Sequence, residues 1–308
     1  MKRAVITGAG GFIGRNLTRR LLAEGVEVCA IEVEAAQGRV VSAPGVTPLC
    51  VDIGDRERLC AVLQAARPDV MYHLAWAGVS TDVKNEVELQ LSNIPLAMTV
   101  LAACGEAGCG HIVIPGSASE YAYCGEIVSG RNAPAPGDAY AAAKAAVQVL
   151  CQWYARQRGL NLNWLLIGSI YGPGRNDSNI LTYTIKALLR GERPEYSKLE
   201  QMWDYIYIDD LIEALYLLGL HGKPDGVYPV GSGDARPLAE YIRDVQRAIA
   251  PDAPLGIGAL PYKLGSKPDN SVLDISRLRE DTGFEPKVSF EEGIGRTIAY
   301  FREMERAQ

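Results

Sequence analysis

Short apolar runs alternate with amphipathic segments from the start of this chain. Residues 3–7 are mostly apolar, glycines follow, and residues 12–24 place Leu17, Leu21 and Leu22 at helical spacing. Residues 27–33 read as a second strand, and a third ends before Asp52. Residues 55–66 open with acids and carry Leu59, Val62 and Leu63 on one face, as a helix does. Further buried strands are predicted at 70–75, 111–114 and 162–167. Strands separated by helices pair in parallel and need helical cover on both sheet faces. The alternation predicts a doubly wound α/β sheet over residues 1–170.

The texture changes after Tyr171-Gly172-Pro173-Gly174. Proline, glycine and charged residues become frequent, as at 191–194 and 256–268, and the strand–helix alternation stops. A smaller C-terminal α/β lobe is predicted over 171–308, mainly for substrate, with 204–208 as a strand returning to the first sheet.

Composition narrows the function classes. Apolar residues make up 48% of the 308, ample for a core, which rules out disorder as the dominant state. Lysine and arginine number 31 against 37 acids, and the net charge of −6 offers no footprint for a nucleic acid. No run is read as approaching the roughly 18–20 apolar residues of a membrane span. The apolar stretch near Met1 is broken within a few positions, unlike a secretory signal. The seven cysteines form no CxxC pair, and three histidines occur without HExxH, so neither disulfides nor a metal are expected. A cytoplasmic, metal-free protein is the expectation.

The first candidate chemistry lies at Thr7-Gly8-Ala9-Gly10-Gly11-Phe12-Ile13-Gly14, between the first strand and the first helix. Gly8, Gly11 and Gly14 have separable uses there: a tight turn, close backbone approach to a pyrophosphate, and helix–strand packing. The helix start at Phe12 and Ile13 turns unpaired N–H groups and partial positive charge to a phosphate. Glu32, eighteen residues beyond Gly14, can accept from adenine-ribose hydroxyls and repels a 2′-phosphate, which favours NAD over NADP. Glu34 competes for that role, and Asp52 beside Ile53 is placed to reach an adenine amino group.

Tyr140-Ala141-Ala142-Ala143-Lys144 places a phenol and an ammonium at i and i+4 on one helix face. The ammonium is expected to lower the phenol from its ordinary pKa near ~10, making Tyr140 a general acid/base. Ser117 or Ser119, after the strand 111–114, supplies a hydroxyl for a carbonyl or alkoxide oxygen.

With these residues in place, the chain resembles the extended short-chain dehydrogenase/reductases, the NAD-dependent nucleotide-sugar epimerases and dehydratases. The resemblance spans TGAGGFIG at 7–14, Asp52-Ile53, His73-Leu74-Ala75-Trp76, the segment 116–121, YAAAK at 140–144, YGPG at 171–174 and the segment 203–210. It implies a Rossmann-type fold, catalysis by Ser117, Tyr140 and Lys144, and a cofactor that also touches Leu74, Ala75, Ala77 and Ile170. Tyr121, four residues after Ser117, selects that serine over Ser119. The segment 200–205 is similar to the branch of CDP-abequose-type 4-ketosugar reductases.

Dehydratases of this family carry an Asp-Glu pair after the catalytic residue, where this chain has Ala118 and Ser119. Glu120 comes one position later, and an extended backbone would turn it to the opposite face. A 4,6-dehydratase is therefore disfavoured. Hydride transfer at a ring carbon of a nucleotide-activated hexose remains, as an epimerase or as a 4-keto-6-deoxysugar reductase. Reduction of a non-sugar carbonyl and a non-catalytic dinucleotide sensor are the alternatives. Trp203 stands where relatives often hold diphosphate with arginine, and Leu166 and Ser169 replace an arginine and an asparagine. Ser169, Asn179, Trp203 and Lys263 are the substrate candidates, with Lys267 and Arg236 as other cations. Apolar residues cover most of the circumference of the helix at 140–156. Relatives bury such a surface against a helix like 87–104, which implies a homodimer.

Overall fold

The computed structural model describes residues 1–122, 125–175, 179–262 and 272–306. Seven strands form the main sheet: β1 (Arg3–Thr7), β2 (Glu27–Glu32), β3 (Val46–Cys50), β4 (Val70–His73), β5 (His111–Pro115), β6 (Asn161–Ile167) and β7 (Gly226–Val230). Their order is β7-β6-β5-β4-β1-β2-β3, with every neighbouring pair parallel. This is the Rossmann-type α/β sheet predicted from the sequence. Alternation along β1 builds both layers. Ala4 and Ile6 join a core with Leu17 and Leu21 of α1 (Phe12–Ala23) and Leu211 and Leu215 of α6 (Ile208–His221). Val5 faces the other core, with Leu59 and Leu63 of α2 (Arg56–Ala66), Val100 of α3 (Val87–Ala107) and Val147 of α4 (Ala139–Arg158).

The strand order reverses direction between β1 and β4, so a crevice opens beyond their C-terminal ends. The glycine loop after β1, residues 74–77 after β4 and Ser117 after β5 all leave the sheet at that edge.

Two sequence expectations need correction. Tyr205–Tyr207 does not rejoin the main sheet; it pairs in parallel with Ser169–Tyr171 in a separate two-stranded sheet. The chain changes partners at Gly168, whose N–H donates to Val230 O while the next N–H, of Ser169, donates to Asp204 O. A Cβ at Gly168 would lie 2.6 Å from Leu273 Cδ1, so a larger residue there would have to push that side chain aside where the strand leaves the sheet plane. The seventh strand is β7, whose Pro229 hides a strand signal and is tolerated because β7 is an edge.

The second correction concerns α3. Its length and apolar content are those of a membrane-crossing helix, where the sequence pattern predicts no such run. It packs on α2 and α4, burying Ala97, Val100, Leu101 and Cys104, so its composition suits a core helix. The C-terminal part gathers α5 (Ile180–Leu189), α7 (Leu238–Ile249) and α9 (Phe290–Arg306) around an aromatic cluster. There, Phe290 lies 4.6 Å from Tyr241 and 5.1 Å from Tyr171, centroid to centroid.

Candidate active site

The glycine loop is held against the end of β4 by contacts that exclude side chains. Gly8 has φ +69°, and a Cβ there would lie 2.8 Å from Ala75 N. A Cβ on Gly14 would lie 2.3 Å from Gly8 O, so the first turn of α1 packs directly on the loop. Gly11 is the N-cap of α1, and neither a side-chain cap nor a first-turn acid covers the amides that follow. Glu32 sits where β2 ends, its carboxylate accepting from Gly10 N at 2.9 Å and Val33 N at 2.9 Å. It is thereby aimed at the loop. Glu34 begins the next turn and is exposed.

Asp52 is exposed and accepts from Gly54 N at 2.8 Å, which closes a turn before α2. Ile53, Leu74, Ala75 and Ile170 are half-buried, and Ala77 is exposed. Asn93 of α3 fixes Ala77 through both its N–H (2.8 Å) and its C=O (3.1 Å), a support that no local sequence signal singles out.

Ser117, Tyr140 and Lys144 come together at the same edge. Asp138 caps α4 by accepting from Ala141 N at 2.8 Å and forms a 2.8 Å ion pair with Lys84. Tyr140 in the first turn lies beside the Ser117 side chain, which acts to hold its phenol down. Ser119 Oγ lies 2.7 Å from Ser117 Oγ, so the two serines form one hydroxyl cluster with Ser117 nearer the phenol. One turn further on, the buried Lys144 donates to Pro115 O at 2.7 Å and lies 3.8 Å from the Trp76 ring centre. Trp76 meets Tyr140 edge-on with centroids 6.0 Å apart, and its Nε1 donates to Gln90 Oε1 at 3.0 Å.

The electrostatics differ from the sequence expectation. Burial, aided by the Glu120 and Asp138 charges, raises the Tyr140 phenol well above the usual tyrosine value, opposite to the lowering expected from Lys144. The neighbouring Ser117 side chain and the Arg175 charge oppose that rise. The reason is geometric: the Lys144 ammonium is committed to Pro115 O and the Trp76 face and lies 5.9 Å from the Tyr140 ring centre. Burial lowers Lys144 to about 7, opposed by the charge of Glu120. His73, at the end of β4, is pushed down to about 3, first by burial and then by Lys144.

Glu120 is also placed differently from expectation. Residues Ala118–Tyr121 form a 3₁₀ turn, not an extended segment, and Glu120 folds back beneath Ser117. It is wholly buried and so does not face the crevice.

The substrate candidates divide. Ser169 and Trp203 meet, with Trp203 Nε1 donating to Ser169 Oγ at 2.8 Å, and Arg236 is the residue opposite Trp203 across a two-residue antiparallel ladder. Arg236 pairs with Asp244 at 3.1 Å and lies 4.2 Å from the Tyr241 ring centre. Asn179 caps α5 by accepting from Thr182 N at 3.0 Å, so the amide oxygen expected to meet substrate has a structural partner. Lys263 and Lys267 lie outside the described residues. The six described cysteines are unpaired, and no group of potential metal ligands occurs among the described residues.

The family profile described as the NAD dependent epimerase/dehydratase family matches residues 4–231. The chain belongs to this family. It is 28% identical to the UDP-glucose 4-epimerase of Mycolicibacterium smegmatis, over 97% of this chain and 98% of that protein. It is 26% identical to the UDP-N-acetyl-alpha-D-glucosaminuronate decarboxylase of Bacillus cytotoxicus, over 99% of both chains. Among solved structures, the Thermus thermophilus UDP-glucose 4-epimerase in complex with NAD superposes with a TM-score of 0.80 at 28% identity. That match covers 97% of this chain and 99% of the other.

The side chains of this epimerase/dehydratase family member fit the cofactor its family is named for. The loop has no room for Cβ atoms at Gly8 and Gly14, the α1 amides are uncapped, and Glu32 is aimed at the loop.

Proposed function

We propose that the chain is an NAD-dependent enzyme of nucleotide-activated hexoses, oxidising and re-reducing one ring carbon, C4, as an epimerase does. The observation that carries this reading is the gathering of Ser117, Tyr140 and Lys144 at the glycine loop's end of the sheet, Tyr140 edge-on to Trp76 and Lys144 over that ring one turn away. NAD, when bound, would supply the hydride-accepting and hydride-donating chemistry of the cycle and, oxidised, a positive charge that would favour a phenolate. Glycines 8, 11 and 14 and the α1 amides of Phe12 and Ile13 would hold its pyrophosphate, Glu32 its adenine ribose, and Lys144 its nicotinamide ribose.

The chain's own groups handle the oxygen and its proton. Tyr140 Oη takes the hydroxyl proton in the oxidising half and returns it in the reducing half. Ser117 Oγ donates to the sugar oxygen as carbonyl character develops. Burial keeps Tyr140 protonated while the site is empty, so taking the hydroxyl proton requires that the phenol first release its own to solvent, as the positive charge of bound NAD would favour. Elimination of water would require an acid–base pair after Ser117. Ala118 and Ser119 supply none, and Glu120 lies beneath the site, which disfavours a 4,6-dehydratase.

The Trp203–Ser169 bond favours a second reading, reduction of a non-sugar carbonyl compound, because an indole and a serine occupy places where relatives often have a diphosphate-binding arginine and an asparagine. UDP-glucose is the probe that separates them. The epimerase converts it to UDP-galactose with catalytic NAD and no net NADH. Tyr140→Phe should lower that turnover by about 10²–10⁴-fold while calorimetry still detects NAD. Unchanged turnover in the variant sinks the assignment.

On the same reading the protein works in the cytoplasm as a homodimer. Leu91 on α3 and Val149 and Trp153 on α4 are 53%, 58% and 57% exposed, and a second copy of this helix pair would cover them.

A further inference from the structure

Glu120 is a carboxylate with no exposure whose role the proposed reaction leaves unassigned. Its Oε1 accepts from Ser117 N at 2.6 Å and its Oε2 from Trp164 Nε1 at 3.2 Å. Both partners are donors, which suits an ionised carboxylate and leaves no acceptor for a proton on it. The site is shaped around it, since a Cβ on Gly116 would lie 2.5 Å from Glu120 Oε1 and 2.1 Å from Trp164 Nε1. The carboxylate closes a capping box with Ser117 at the start of the 3₁₀ turn, but a neutral Gln closes such a box as well, so the turn explains the contact and not the buried charge.

The surroundings of Lys144 are complementary. Pro115 O and the Trp76 face accept an ammonium, yet no carboxylate lies in direct contact with it among the described residues. Glu120 is the acidic side chain whose charge raises Lys144, against burial. The other titratable groups facing the pair are Tyr140 and Cys151 on α4 and His73 on β4. Those three are each held neutral by burial, so Glu120 stands as the counter-charge.

We propose that Glu120 is a positioning residue of this active site, anchoring Ser117 through its backbone N–H and supplying the buried negative charge that keeps Lys144 an ammonium. The proposal rests on the reading of Ser117, Tyr140 and Lys144 as the reacting groups. Burial pushes Glu120 up, against the opposing pull of the Ser117 donor, the Lys144 charge and the Trp164 donor.

Lysine-selective carbon-13 NMR of the full chain, with Lys144 assigned by Lys144→Met, reads the titration directly. Glu120→Gln should lower the Lys144 midpoint by about one pH unit or more, with near-ultraviolet circular dichroism unchanged. Trp164→Phe removes one donor from the carboxylate, keeps the acid, and should lower the same midpoint by less. If Glu120→Gln does not fold, that second variant carries the test. A midpoint that stays or rises in the folded variant overturns the proposal. Calorimetry with NAD on the wild type is scored separately. Absent binding with a lowered midpoint removes the enzymatic reading and retains Glu120 as counter-charge; binding with an unmoved midpoint does the reverse.

Discussion

The Lys144 ammonium lies 3.8 Å from the centre of the Trp76 indole. Trp76 is itself fixed by Gln90, so a residue from the loop after β4 clamps one from α4. A desolvated contact of this kind contributes up to about 2 kcal/mol. Trp76→Leu should therefore destabilise the protein by roughly 1–3 kcal/mol, and Trp76→Phe by less. Urea unfolding measures both, and equal stability of Trp76→Leu and wild type would remove the clamp from the account.

The loop glycines make a sharper prediction. In Gly14→Ala the new methyl would meet Gly8 O at 2.3 Å, a backbone atom that cannot swing aside. We expect a loss of about 1–3 kcal/mol from overpacking and loss of measurable NAD binding by calorimetry. Gly38→Ala is the control, because nothing lies within 4 Å of a Cβ there.

His73 makes stability depend on pH with a definite sign. Its folded value, about 3, lies below the ordinary histidine value of 6.5, so the unfolded chain binds more protons between them. The contribution of His73 is complete above pH 6.5 and falls as the pH drops towards 3. The slope is at most about 1.4 kcal/mol per pH unit. His73→Asn, which can keep a bond to Thr7 Oγ1, should flatten the slope of urea stability between about pH 6 and 4, roughly in that measure. A parallel slope in the variant would contradict the burial of a neutral imidazole.

The exposed apolar face of α3 and α4 predicts the assembly. Trp153→Glu places a charge in the centre of the proposed helix-bundle interface and should shift micromolar protein from dimer to monomer in sedimentation. Wild-type protein that sediments as a monomer would contradict the dimer.

Much of the fold was legible because parallel strands in a covered sheet read as mainly apolar runs, and those of β1, β4 and β5 do so, as does β6 beyond Asn163. β7 was not, because Pro229 and its place at the edge erase that signature. The glycine loop and the Tyr140–Lys144 pair were legible for a related reason: turn geometry and helical spacing are local, and local spacing is written in the chain. The partner of Tyr205–Tyr207 was not, since it depends on where Gly168 lets the backbone leave the sheet.

By itself, then, the sequence determined the doubly wound sheet, the glycine loop and the tyrosine–lysine pair at helical spacing, while it left Ser117 and Ser119 as alternatives that only the family resemblance separated. Only the tertiary structure decided their electrostatic state. Whether Lys144 faces Tyr140 or Trp76, and whether Glu120 points outward or folds beneath Ser117, depends on groups contributed by four separate segments. Protonation in a buried site follows from distance and desolvation, and neither is a property of residues adjacent in the chain.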